Sequence, residues 1–132
     1  MPRKLTEALQ FDCIVAPQDV GTADVTGTFV DVTDAGRFVV LAKAGPVTAG
    51  KILTVQLRQA KDAAGTGAKD LGAPVTSIGA GGNAPADVEI EHYAGELDAV
   101  NGFTHVTAVL GIDEAAKLGA AYLVRGDRRY VP

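Results

Sequence analysis

The chain has 132 residues, 47% of them hydrophobic, with a formal net charge of −4. This is enough apolar material for one domain with its own core, and it excludes a disordered chain and wholesale nucleic-acid binding. Aromatics make up 5%, Trp is absent and there are 16 glycines. A core of Val, Leu, Ile and Ala, carried on short strands with many turns, is therefore expected.

Residues 1–26 hold Pro2, Pro17 and Gly21 and little periodic apolar pattern. They read as an extended N-terminal arm with a first strand around Phe11–Val15; helix at Leu5–Leu9 is too short to stand alone. Cys13 is the single cysteine, so no internal disulfide can form, and its neighbours Ile14 and Val15 mark it as a small buried hydrophobe. Thr28–Val32 reads as a strand, and Thr33-Asp-Ala-Gly36 as a turn. In Arg37–Lys43 the run Phe38-Val-Val-Leu41 is apolar on both faces, as a strand covered on each side would be. Lys51–Ala60 alternates Leu53, Val55 and Leu57 with Thr54, Gln56 and Arg58, and is expected to pair with Arg37–Lys43 through the Gly45–Gly50 loop.

Lys61–Lys69 reads as an exposed, mobile loop, and Leu71–Ile78 as an edge strand broken by Pro74. Val88–Tyr93 alternates with Glu89 and Glu91 outward, and Phe103–Leu110 follows. Asp113 supplies a helix start and Gly119 a stop, which predicts one short helix at 113–118. Ala121–Arg125 is the last strand. The expected fold is all-β: a single-domain antiparallel β-sandwich or jelly-roll-like barrel over 27–132, preceded by the arm.

The chemistry-bearing residues do not converge. Gly65-Thr-Gly-Ala-Lys69 lacks the Gly-Lys-Ser/Thr ending of a phosphate loop and no helix signal follows it. His92 and His105 could approach if their strands paired, but His92 shares a face with Val88 and Ile90 while Glu89 and Glu91 face away. They read as half-buried histidines with one hydrogen bond each. Asp87, Glu89 and Glu91 form a straight row, which suits a solvated outer face better than a calcium loop or a glycosidase pair. Arg125-Gly-Asp127 reads as a turn ending the last strand. No catalytic residue, metal ligand or cofactor is assigned, and an enzyme is not expected.

Charge is uneven: seven acidic residues and no Lys or Arg lie between Asp87 and Glu114, and Arg125, Arg128 and Arg129 follow. Such asymmetry suits self-association or docking on a mixed-charge partner. The two ends supply the candidate contact residues: Arg3, Lys4, Leu5, Leu9 and Phe11 at the start, and Arg128, Arg129 and Tyr130 at the finish.

The strand Thr54–Ala60, ending Gln-Leu-Arg-Gln-Ala, and the Gly/Ala/Lys loop after it resemble a pattern in tailed-bacteriophage virion proteins. So do Glu96-Leu-Asp98, Gly102-Phe-Thr-His-Val106 and the closing Leu-Val-Arg-Gly-Asp-Arg-Arg-Tyr. The resemblance runs from about Val25 to the end and is one of pattern and order. It implies a capsid decoration, or cement, protein: a homo-oligomer, most often a trimer, bound to the major capsid protein on the outer surface of the shell. Location in the virion after synthesis in the host cytoplasm follows, with neither nucleic acid nor membrane as partner. A head–tail connector or tail component is the alternative, and a soluble carbohydrate-binding module the second; the latter is disfavoured by the lack of an aromatic platform.

Overall fold

The computed structural model describes residues 4–128. Ten strands form two antiparallel sheets: β1 Gln10–Asp19, β2 Val25–Thr26, β3 Val30–Asp31, β4 Ala35–Ala44, β5 Ile52–Ala60, β6 Lys69–Asp70, β7 Val75–Ile78, β8 Ala86–Tyr93, β9 His105–Ile112 and β10 Leu118–Arg128. Sheet A has the order β1-β10-β4-β8. Sheet B is built on the β9–β5 pair; β2 and β3 line the far edge of β9, and β6 and β7 the far edge of β5. Counting each broken edge as one strand leaves eight strands paired first with last and inward from there. That is a long hairpin rolled into a jelly roll.

This roll-up explains one departure from the sequence reading. Arg37–Lys43 and Lys51–Ala60 do not pair: β4 lies in sheet A beside β10 and β8, and β5 lies in sheet B beside β9. The Gly45–Gly50 connection crosses between layers spaced roughly 10 Å apart instead of turning a hairpin. Nor is β4 covered on both faces. Phe38, Val40, Ala42 and Ala44 are buried, whereas Val39 and Leu41 are only half-buried on the outer surface.

The core lies between the sheets and follows strand alternation. Leu53, Val55 and Leu57 of β5 meet Val40 and Ala42 of β4, Val88 and Ile90 of β8, Val106, Ala108 and Leu110 of β9, and Leu123 of β10 within one buried cluster. Edge β6/β7 is interrupted around Gly72 and Pro74, as expected of a strand that cannot donate continuously.

Three local readings change. The first strand is longer than Phe11–Val15 and belongs to sheet A, with Ile14, Val15 and Val20 in the core, so the extended arm does not cover residues 10–19. Cys13 is exposed. Register shifts after Cys13 and after Val15 place Ile14 and Val15 both inward and leave the thiol outside. Of segment 113–118, residues 113–117 form a turn and not a helix, and Leu118 already begins β10. The Asp113 carboxylate accepts the Ile52 amide at 2.7 Å and Glu114 accepts the Thr48 amide at 3.2 Å. Ala116 sits at φ 60, so the would-be capping groups are used to tie neighbouring loops. The only α-helix among the described residues is α1, Leu5–Ala8.

At one pole Arg125 joins three elements. Its guanidinium forms an ion pair with Asp12 of β1 at 3.1 Å, contacts Asp34 at 3.2 Å and donates to the Asp31 carbonyl at 2.9 Å. Its side chain is 13% exposed. Replacing it with Ala leaves two carboxylates facing each other in a partly dry site. Arg125→Ala is expected to lower unfolding free energy by about 2 kcal/mol, less than a fully buried pair would cost, as read from urea denaturation midpoints.

Carboxylates also brace the loops. The Thr22 hydroxyl, helped by the Thr22 and Gly21 amides, holds the Asp19 carboxyl below its ordinary value. The Thr66 hydroxyl and amide do so for Asp62, a hydrogen bond from Lys69 for Asp98 and the Thr48 hydroxyl for Glu114. A carboxyl that ionises more readily folded than unfolded adds stability above its unfolded pKa, and that contribution is lost as pH falls through the folded value. The denaturation midpoint should therefore be flat from pH 7 to 5 and fall once pH drops below the ordinary values of 3.8 and 4.5. Thr66→Val should make the fall shallower.

Candidate functional site: the outer face of sheet A

The residues suited to chemistry stay apart. His92 is on β8 and His105 on β9, in opposite sheets. His92 Nδ1 lies 2.8 Å from Glu96 Oε2 and its ring stacks on Phe38 at 6.0 Å. His105 Nδ1 lies 2.7 Å from the Thr104 hydroxyl. Both are half-buried, and each has one hydrogen-bond partner among the described residues, as expected of them. Among the described residues no group of three or more His, Cys, Asp and Glu side chains is placed to hold a metal ion.

The loop expected to be mobile is braced: Asp62 accepts from the Ala64 and Thr66 amides and the Thr66 hydroxyl. Arg125-Gly-Asp127 lies inside β10 rather than at a turn.

What the fold does assemble is a surface. The outward positions of sheet A fall in cross-strand rows: Cys13, Tyr122, Leu41 and Glu89 form one, and Phe11, Val124, Val39 and Glu91 the next. Phe11 is 49% exposed, Tyr122 46% and Leu118, further along the outward side of β10, 57%. Val39 and Leu41 of β4 are half-buried and Val124 is buried, so the apolar side of these three strands is open to water mainly at Phe11, Tyr122 and Leu118, with β8 as an acidic margin. Within that margin Lys43 pairs with Asp87 at 3.1 Å and Arg37 with Glu91 at 4.0 Å. Asp87, Glu89 and Glu91 are exposed, as their row position required. A contiguous apolar sheet face of this kind is uncommon on a protein that works alone in water.

The expected contact residues fall only partly on this face. Phe11 lies on its edge strand, β1, beside Val124 of β10. Leu9 reaches over Gly126, where a Cβ would lie 3.1 Å from Leu9 Cδ2, so the missing side chain seats the end of α1 on the sheet. Leu5 is 71% exposed, and Lys4 is exposed at the helix start. Arg128 contributes backbone to β10; Arg3, Arg129 and Tyr130 lie outside the described residues. Cys13, Val39, Leu41, Leu118 and Tyr122 were missed. Their signal was present: β10 and β4 carry apolar residues at consecutive positions, and only one of the two faces can be core.

The fold is an eight-stranded jelly-roll β-sandwich with apolar side chains on the outer face of one sheet. No family model and no curated protein matches the sequence. Among solved structures, the chain is similar to the VP2 subviral particle of infectious bursal disease virus. Identity is 6% and the TM-score 0.50, over 92% of this chain and 32% of that one. It also resembles the structure of the Gx strain of that virus (10% identity, TM-score 0.49, 88% of this chain and 31% of that one). A third likeness is to a non-crystalline-cellulose-specific carbohydrate-binding module (9% identity, TM-score 0.45, 89% and 74%). The chain spans about a third of the length of the viral chains, and the likeness is one of fold.

The exposure of Cys13 has a direct test. The native protein should react fully with a thiol reagent such as DTNB without denaturant. Labelling that requires urea would mean the thiol is inward.

Proposed function

We propose that this chain is a structural virion protein of the tailed-phage decoration type, bound as a homo-oligomer to the outer surface of a capsid, where it ties major coat protein subunits together. The observation that carries this reading is the apolar outer face of sheet A. It spans three strands and offers Phe11, Tyr122 and Leu118 as anchors, with a charged margin to set orientation. Support comes from the jelly roll, an architecture that viral shells use to build broad rigid contacts, from the fold likeness to VP2 and from the sequence resemblance. A role of this kind is carried out by buried area repeated over many copies, without a reaction centre.

Two measurements test it. Cys13 lies on this face, on the edge strand β1 beside Tyr122 of β10, so maleimide labelling should be fast in the free protein and at least about tenfold slower in particles. Equal labelling in the two states sinks the assignment of this face. Tyr122→Glu should reduce occupancy on particles roughly tenfold or more, a loss of about 1.4 kcal/mol, while the melting temperature stays within about 2 °C, because the side chain lies outside the core. A copy number of about a dozen per particle, as a ring requires, would instead indicate a connector.

A further inference from the structure

Sheet B has an outer face of different character. Its outward residues form a bowl of about 470 Å³ whose floor is Thr54 of β5 and Gly111 of β9, with Gln56, Thr76, Asp24 and Asp113 around it. Thr76, Thr54 and Gly111 lie in one cross-strand row. A Cβ on Gly111 would come within 2.2 Å of Asp24 Oδ1, so it is the missing side chain that lets the Asp24 carboxylate lie over the sheet. The polar groups are partly preset. Asp113 is oriented by the Ile52 amide, and the Gln56 amide nitrogen by the Leu57 and Gly72 carbonyls at 2.7 and 3.1 Å. That leaves Gln56 Oε1, the second Asp113 oxygen, the Asp24 carboxylate and the two threonine hydroxyls without a hydrogen-bond partner among the described residues.

From this arrangement we infer that the bowl is a binding site for a neutral saccharide. Its groups are mainly acceptors: Thr54, Gln56 and Thr76 on the adjacent strands β5 and β7, and the Asp24 and Asp113 carboxylates from the connections beside β9, a spread of about 10 Å. They match a ligand that carries several hydroxyl donors at sugar-like spacing. Thr54 and Thr76 can donate as well as accept, as a polyol requires, and Ile52 and Val109 supply apolar contact for C–H faces. Two carboxylates repel anionic sugars. A single ammonium group would satisfy one corner of the bowl and leave the threonine row unused. No aromatic ring lines the site, so stacking is lacking and one copy binds weakly. The site lies on the opposite side of the sandwich from the apolar face and stays open when that face is covered. It does not depend on the virion reading.

The test is an NMR titration of the whole 15N-labelled protein with maltopentaose, cellopentaose and chitopentaose, each to about 10 mM, where affinities of this class fall. At least one should shift the amides of Thr54, Gln56, Thr76 and Gly111 in a saturable way. Asp24→Ala, Thr54→Val and Gly111→Ala, which displaces Asp24, should each weaken the response roughly fivefold or more (about 1 kcal/mol), with dispersed spectra showing that the fold is intact. Tyr122→Glu, on the other sheet, should bind as the parent does. No shift with any of the three sugars, or shifts that survive all three bowl variants, overturns the inference. So does saturation by Nα-acetyl-lysine amide in place of the sugars, which would make the bowl a pocket for a basic side chain.

Discussion

β10 is hydrogen-bonded along both of its edges, to β1 on one side and to β4 on the other, and the rest of the structure depends on that double pairing. It brings the last strand between the first and the fourth, which sets sheet A and forces every intervening strand to take its place around a rolled hairpin. The pairing is long-range in sequence, so little of the fold can form before the chain has nearly closed on itself. Arg125 reinforces the arrangement at one pole by holding Asp12 and the turn before β4 against the same strand.

The side chains of β10 divide between two tasks. Ala121 and Leu123 point into the core, and Tyr122 and Leu118 point out. One strand thus anchors the sandwich and forms the middle of the apolar face, which ties the position of that face to the fold. The rigid sheet keeps Phe11, Tyr122 and Leu41 in register without help from loops, so little ordering cost is left for the moment of contact. The outer side of the opposite sheet mixes the polar Thr54, Gln56 and Thr76 with Ile52 and the exposed Ile78 around a concave surface. The two sides of the sandwich are therefore chemically distinct.

Much of this was legible from the sequence. The alternation of Leu53, Val55 and Leu57 fixed the inward face of β5, and the outward placement of Glu89 and Glu91 followed from the same rule. The number of strands pointed to a sandwich or jelly roll. What failed was the assumption that consecutive strands pair, which a rolled hairpin breaks at almost every connection. The bulges around Val15 reversed the facing of Cys13, because an irregular register is invisible to strict alternation. Asp113 and Gly119 carry the letters of helix ends, but the carboxylate is taken up by the Ile52 amide in another strand. Of the apolar face, Phe11 was anticipated. Tyr122 and its neighbours were not, because the outward side of a strand with apolar residues at every position cannot be chosen until the sheet order is known.

The pairing of Gln10 with Arg125 has a consequence for how the molecule can be joined to others. The start of β1 and the end of β10 are neighbours, so polypeptide attached at either end leaves from the same pole. A linker of a few residues could join these strands, and new ends opened in the braced loop around Asp62 would turn the same jelly roll into a circular permutant.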